Sequence, residues 1–500
     1  MIPPPASPGK ALQSHPPQLL NYPPALAHAL TTSELSKTGL PIEVSLFDAR
    51  TKLDVATGAG IQINGGASVL RKINPTLHDK VIRAALPLSN IRSRATPWAE
   101  DASESYSTLL EINLEDAIRR AGGDVERELI IDGEVQAYTI MRGVLQGILL
   151  SELPSEQELH TGKALIGIHP EQKEGEEGDD GIFCAFDDGS RAGPFDMVVG
   201  CDGVRSAVKE FVERGKVSKD HRSGGAIYSG IRIKFAVEDG DKDSIESEVS
   251  SAELRQYFGD GAYGLFGTYG AGEGVPPKKC AYLIVQDKDY IGPFKRRDTG
   301  ISTKAVENIS WDRDSSVEDA KIDSMNLMSE AGLPDAELRP VVENSDSFFE
   351  LGVYFHNPFS LSGWTREAIS SKGMYCVLCG DSAHAMPPFL GQGANQGIQD
   401  SYSLATKIFK HNENCDKMIA GNIVNIDEET NKNTLRNLLR EYESTRWAPT
   451  ASITLKSIFL GYLETGGKGF PSKFRDALFF VLGKLGIATK VFLDSATPRV

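Results

Sequence analysis

The sequence predicts an α/β fold, with helices around a parallel sheet, an inserted antiparallel sheet and a set of C-terminal helices. Three observations predict it. A helical stretch from Ala25 to Ser36 is followed by a turn at Thr38-Gly39 and a short apolar strand, Ile42 to Phe47, that ends in Asp48. Gly-rich segments alternate with β-prone runs such as Ile227 to Phe235 and Ala281 to Val285 between Ser223 and Asp287, which reads as an antiparallel sheet. The apolar run Met374 to Cys379 reads as a buried strand ending in Gly380-Asp381, and the helical spacing of Ile398, Tyr402, Ala405 and Phe409 follows it.

Bulk properties narrow the function class. A chain of 500 residues with 40% hydrophobic and 24% charged residues has the composition of a globular enzyme of two or three domains. Its net charge of -16 repels a phosphate backbone, so no nucleic-acid partner is expected. Cys184, Cys201, Cys280, Cys376, Cys379 and Cys415 are too sparse for a disulfide framework and favour a reducing, intracellular setting. Cys376 and Cys379 spell C-x-x-C, but a strand sends residues three apart to opposite faces, so they read as small hydrophobes rather than a redox or metal pair. There is no run of about 18 apolar residues. The proline-rich start also lacks the apolar core of a secretory signal, so neither a transmembrane helix nor a signal peptide is expected.

The chemistry concentrates at strand ends. Gly380 admits close approach of a ligand, and the Asp381 carboxylate accepts hydrogen bonds from ribose-like hydroxyls. The turn from Pro387 to Gln396 then feeds a helix N-terminus, whose free amides and positive dipole end suit an anion or a ring that must hold negative charge. A second strand, Phe195 to Val199, leads to Asp202-Gly203, which by itself is often only a turn. Asp48 suits the acid that bonds an adenosine ribose, or is an ordinary strand-end aspartate. His384 has no nucleophile or metal-ligand partner near it in sequence and reads as structural.

From Gly380 to Gln396 the sequence G-D-S-A-H-A-M-P-P-F-L-G-Q-G-A-N-Q resembles the GD motif of the single-component FAD-dependent monooxygenases, the family of p-hydroxybenzoate hydroxylase, zeaxanthin epoxidase and kynurenine monooxygenase. Asp196 to Lys209 is similar to the family's DG motif, with Lys209 in place of the final arginine, which keeps the charge and loses the bidentate fork. Gly58-Ala59-Gly60-Ile61-Gln62 resembles the flavin-contacting loop, and Met141-Arg142-Gly143-Val144-Leu145 resembles the helix start whose arginine touches FAD. Tyr442-Glu443 with Arg446 and Trp447 resembles the helix after the cofactor domain, where packing is the expected purpose.

The resemblance implies a Rossmann-like FAD-binding domain. Its implied cofactor contacts are Asp48, Arg50, Gln62, Arg142, Asp202, Gly203, Gly380, Asp381, Pro388, Gly391, Gln392, Gly393, Ala394 and Asn395. Asp381 would bind the ribityl chain, and the Gly391 to Asn395 amides would lie beside the flavin pyrimidine. No metal and no catalytic side chain are expected, because the cofactor carries the chemistry. The implied reaction uses NADPH or NADH and O2 to hydroxylate or epoxidise a small aromatic or isoprenoid-like substrate. Two alternatives stay open: a flavin reductase or dehydrogenase on the same scaffold, and a non-catalytic, flavin-poor relative.

Domain boundaries follow from the pattern. Residues 1–24 read as a proline-rich disordered leader; 25–85, 130–210 and 350–410 as a discontinuous FAD-binding domain; 86–129 and 211–349 as the substrate domain; 411–434 as a loop insertion; and 435–500 as C-terminal helices. The acidic linker Glu171 to Asp180 reads as a hairpin loop and the tract Glu238 to Glu253 as looped out. A dinucleotide fingerprint, strand then G-x-G-x-x-G then helix, should precede Asp48, but Gly9 and Gly39 are the only glycines there. The first strand of the parallel sheet and the pyrophosphate loop are therefore expected to be missing, from an incomplete or alternatively spliced sequence or from a real loss. Finally, Leu478, Val481, Leu482 and Leu485 share one helical face near Lys473, Arg475, Lys484 and Lys490. That face suits weak contact with a membrane surface, or more plainly docking against the cofactor domain.

Overall fold

A computed structural model describes residues 22–31, 42–52, 58–95, 106–154, 158–171, 180–218, 225–238, 250–287, 316–369, 373–420 and 428–500. Most of the proline-rich leader lies outside them, as do residues 172–179 of the acidic linker and 239–249 of the acidic tract. The leader ends earlier than the sequence suggests. The first helix is Tyr22–Thr31, with Pro23 and Pro24 in its first turn, where a missing N–H leaves no hydrogen bond unmade. It packs on the long helix Gly393–Ala420, and His28 Nε2 meets the Leu149 carbonyl at 2.8 Å.

The expected antiparallel sheet is the largest element, with nine strands. Its path runs through Ser347–Phe355, Ile227–Glu238, Lys278–Gln286, Ala262–Tyr269, Ala252–Phe258, Leu86–Ala95, Tyr138–Met141 and Gly60–Ile63, and Ser107–Asn113 pairs beside Leu86–Ala95. Ala252–Phe258 runs parallel to Leu86–Ala95; the other pairings are antiparallel. Strand periodicity explains why it is buried on both faces. Cys280, Tyr282 and Ile284 join the core shared with Met141, while the intervening Ala281 and Leu283 join a second core with Met328, Leu338 and Val341. Helices Ser316–Ala331 and Asp335–Glu343 supply those last three residues.

The parallel part is in two pieces. Met197–Gly200 pairs in parallel with Met374–Leu378, Gly200 opposite Leu378, and Thr365–Ile369 runs antiparallel on the far side. Ser45–Asp48 pairs in parallel with Glu158–Thr161. Among the described residues no strand joins these two pieces, although the Phe47 and Phe195 rings stand 6.1 Å apart. Met197, Val198 and Val199 are only half-buried, whereas Cys376, Val377 and Leu378 are fully buried. The expected hairpin appears as the meander Leu165–Glu171, Gly181–Phe186 and Arg191–Phe195.

Two expectations fail. Residues 411–434 are not a loop for most of their length, because one helix continues to Ala420 and the next, Glu428–Glu464, starts soon after. The segment is polar, but lysine, glutamate and asparagine carry only a small helix penalty. The C-terminal helix Phe470–Lys484 docks on the substrate sheet rather than on the cofactor domain. It lies against Ser107–Asn113, with the Phe479 ring 4.6 Å from Phe258 and Arg475 Nη1 donating to the Gly259 carbonyl at 2.9 Å. Replacing Phe479 by alanine should lower unfolding stability by about 3–5 kcal/mol, as burial of its ring demands. A urea titration giving no change in midpoint would show that this contact does not hold the helix.

Candidate cofactor site

The GD turn hangs from a buried carboxylate. Gly380 takes a φ of +68° and starts the short helix Asp381–His384. Its N–H donates to Asp400 Oδ2 at 2.8 Å, and the same oxygen receives His384 Nε2 at 2.5 Å. Asp400 Oδ1 accepts from Arg446 Nε at 2.7 Å, with both side chains fully buried. Burial alone would raise the Asp400 carboxyl; the charges and hydrogen bonds of His384 and Arg446 outweigh it and hold the group below its ordinary value. His384 thus has the structural role expected of it. Ser382 Oγ ties this turn to the second motif by donating to the Gly200 carbonyl at 2.5 Å.

The next loop gathers carboxamides. Gly391 closes the 3₁₀ turn Pro388–Leu390 in the left-handed region, and the Gln62 amide lies beside it. Asn395 is a staple: its Oδ1 accepts from Asn64 N at 2.8 Å and Gly66 N at 3.0 Å, and its Nδ2 donates to the Gln62 and Gly391 carbonyls at 3.1 and 3.0 Å. Its side chain is therefore spent inside the protein, and only its backbone amide remains for a ligand. Gln62 Oε1, Gln392 Oε1 and Asn64 Nδ2 are buried without a partner. The helix Gly393–Ala420 opens beside them, so the amides of Gly393, Ala394 and Asn395 have no carbonyl a turn earlier to bond. Two buried acceptors, one donor and free helix amides are the complement of a flavin pyrimidine edge, which carries an N–H between carbonyls.

Arg142 and Gly58 meet. Arg142 begins the helix Arg142–Ser151, is buried, and passes so close to Gly58 (φ +127°) that a Cβ there would stand 2.8 Å from its Nε. Gly60 is crowded by the substrate sheet, since a Cβ on it would fall 2.2 Å from the Tyr269 ring. Tyr282 Oη donates to the Gly60 carbonyl at 2.7 Å. Burial raises both phenols, so they stay protonated at neutral pH.

Other expected contacts are arranged differently. Asp48 is held by Arg50: N and Nε bond Oδ1 at 2.8 and 3.0 Å, and Nη2 bonds Oδ2 at 2.7 Å. Asp202 caps the helix Ala207–Arg214, with Oδ2 accepting from Ala207 N at 2.7 Å, while Oδ1 is buried without a partner. Burial raises its carboxyl despite those bonds. Gly203 follows it in the left-handed region. Lys209 is buried and pairs with Glu213 at 3.0 Å, so the substitution for arginine is accommodated by a local ion pair. Asp381 is buried beside Gly380, and Pro388 is exposed at the start of its turn.

Comparison with known proteins agrees with this geometry. The model of the FAD binding domain matches residues 365–415, the span that holds the GD turn and the helix start. The chain is 25% identical to the FAD-dependent monooxygenase ausM of Penicillium brasilianum over 57% of its length and 51% of that protein. It is also 25% identical to the 3-amino-4-hydroxybenzoate 2-monooxygenase of Streptomyces cremeus, over 73% of this chain and 72% of that one. Over these spans the chain is similar to FAD-dependent monooxygenases. Among solved structures, Klebsiella pneumoniae HpxO complexed with FAD and uric acid matches with a TM-score of 0.62 at 16% identity, covering 96% of this chain and 95% of that one. The chain spans about half the length of several of the monooxygenases it matches, 51% for ausM and 54% for the aurachin C monooxygenase/isomerase of Stigmatella aurantiaca.

Sequence reasoning missed Asp400 and Asn64. Asp400 lies on the buried face of the helix and could have been found as an acid among the otherwise uncharged positions after Asn395. Asn64 follows the Gly58 to Gln62 loop and caps the next helix, Gly65–Ile73. Replacing Asp400 by asparagine should cost about 3–5 kcal/mol at neutral pH, because it leaves Arg446 buried and uncompensated. With its folded pKa depressed, this contribution is full above the unfolded carboxylate pKa and fades as pH falls through the folded value. The stability gap between wild type and Asp400→Asn should therefore narrow in acid; a gap constant with pH would refute the assignment.

Proposed function

We propose that this chain is an FAD-dependent monooxygenase that uses NADPH or NADH and O2 on a small aromatic or isoprenoid-like substrate. The observation that carries the reading is the cluster of unpartnered buried amide atoms on Gln62, Asn64 and Gln392 beside the free amides of the Gly393 helix start. When bound, the flavin supplies the redox chemistry and the activation of oxygen. The chain's own residues bind, orient and exclude water. Asp381 accepts hydrogen bonds from the ribityl hydroxyls. The Gly393, Ala394 and Asn395 amides face the pyrimidine carbonyls and stabilise negative charge there, while Gln62 or Gln392 accepts the ring N–H. Arg142, packed against Gly58, would contact the flavin. Met141, Tyr269, Cys280 and Tyr282 form a dry wall on the substrate side, which keeps water from the reacting oxygen. No acid–base pair is required of the protein.

The pyrophosphate end is less well provided. No G-x-G-x-x-G lies before Asp48 in this sequence, and among the described residues no strand joins the two pieces of the parallel sheet. This break favours weak FAD binding and keeps the flavin-poor relative as a second reading. Purified without added cofactor, the protein should show a substoichiometric flavin band in its visible spectrum; a stoichiometric band would remove the deficit. With FAD in excess, NAD(P)H oxidation should require O2 and place labelled oxygen in the product. Oxygen-independent turnover would support the reductase instead, and failure to bind FAD at any concentration would support the non-catalytic relative. Asp381→Ala should weaken FAD binding about ten- to hundredfold, the worth of hydrogen bonds to a charged group, as read by quenching of flavin fluorescence. An unchanged affinity would remove Asp381 from the site.

A further inference from the structure

We infer that the outer face of the C-terminal helix Phe470–Lys484 is a docking surface for an anionic lipid bilayer. On this helix Phe470, Phe474, Val481 and Leu485 recur at helical spacing and are 80%, 56%, 49% and 67% exposed. They are not the face that folds the protein. Ser472, Arg475, Asp476 and Phe479 form that face and are buried against the substrate sheet. Ile487 continues the exposed stripe into the last helix, Ile487–Ala496, at 42%.

Charge identifies the occupant. Lys468, Lys473, Lys484 and Lys490 are exposed around the stripe, in a chain whose net charge is -16. The one acid between Lys468 and Lys490, Asp476, is buried and bonded by Arg475 Nε at 2.8 Å. An apolar stripe with aromatic side chains, rimmed by lysines, with the half-exposed Asp260 tied to the helix start by Gly469 N and Ser472 Oγ at 2.7 Å, matches the boundary between acyl chains and anionic headgroups. No described helix is long and apolar enough to cross a membrane, so the helix would lie in the interfacial plane. A protein partner would be expected to meet a mixed-charge rim, and a second copy of this acidic chain would satisfy the lysines without needing the phenylalanines.

Co-sedimentation of the full chain with vesicles tests this. The protein should pellet with phosphatidylcholine vesicles containing phosphatidylserine, pellet less with pure phosphatidylcholine, and be released by salt. Phe474→Ser combined with Leu485→Ser should abolish pelleting while leaving the thermal melting curve unchanged, since both side chains face solvent. Lys473→Gln and Lys484→Gln should each weaken binding about fivefold. Pelleting that is equal for the wild type and the double variant overturns the inference, as does a wild type that pellets with neither vesicle. A wild-type dimer that the same double substitution turns into a monomer, without vesicle binding, would make the face a self-interface instead.

Discussion

The Asp400 carboxylate holds the cofactor side of the molecule together. It sits fully buried where three elements meet, and each element gives it one donor: the Gly380 turn through its amide, the short helix through His384 and the long C-terminal helix through Arg446. An ion in such a place is costly unless every lone pair is used. Here the need for partners fixes geometry. Gly380 is drawn into a left-handed turn, Asp381 is set at the strand end, and Arg446 carries the restraint on to the Gln396 and Arg499 carbonyls. The site is therefore stiff where a ribityl chain would lie, and the stiffness originates behind the ligand rather than in contact with it.

A second constraint joins substrate and cofactor sides through one sheet. Because Tyr138–Met141 and Gly60–Ile63 continue the antiparallel sheet, the backbone that carries Gln62 pairs with Tyr138–Met141, which pairs in turn with Leu86–Ala95 of the substrate domain. Tyr282 and Tyr269 press on Gly60 from the neighbouring strands. A change in that wall would be felt at the flavin loop without any intervening hinge. Asn395 performs the matching task from the other side by bonding Asn64, Gly66, Gln62 and Gly391 at once. Carboxamides here divide into one that builds the loop and three that retain an unused atom towards the ligand.

The break between Ser45–Asp48 and Met197–Gly200 gives the chain an unequal site. The proposed flavin end is tied by many hydrogen bonds, whereas at the other end Asp48 is bonded by its own Arg50. The first helix packs against the Gly393 helix. At the opposite end, the C-terminal helix uses one face to cover the substrate sheet and leaves the other apolar.

Much of this was legible in the chain. The period-2 runs specified the antiparallel sheet and the apolar run before Gly380 specified a buried strand, because each depends only on neighbours in sequence. The turn, its acid and the Gly393 helix start were legible for the same reason. Partners distant in sequence were not. His384 and Arg446 reach Asp400 across 16 and 46 positions, and Asn395 reaches Asn64 across 331, so only the packed chain could make Asn395 a staple and Asp400 a hub. Polarity suggested a loop over 411–434 where helices extend, since polar side chains leave backbone hydrogen bonding untouched. The amphipathic C-terminal helix was predictable as a helix, but which of its faces met the protein was decided by the available surface, where Phe258 and the Gly259 carbonyl gave Phe479 and Arg475 their partners and left the phenylalanine stripe outside.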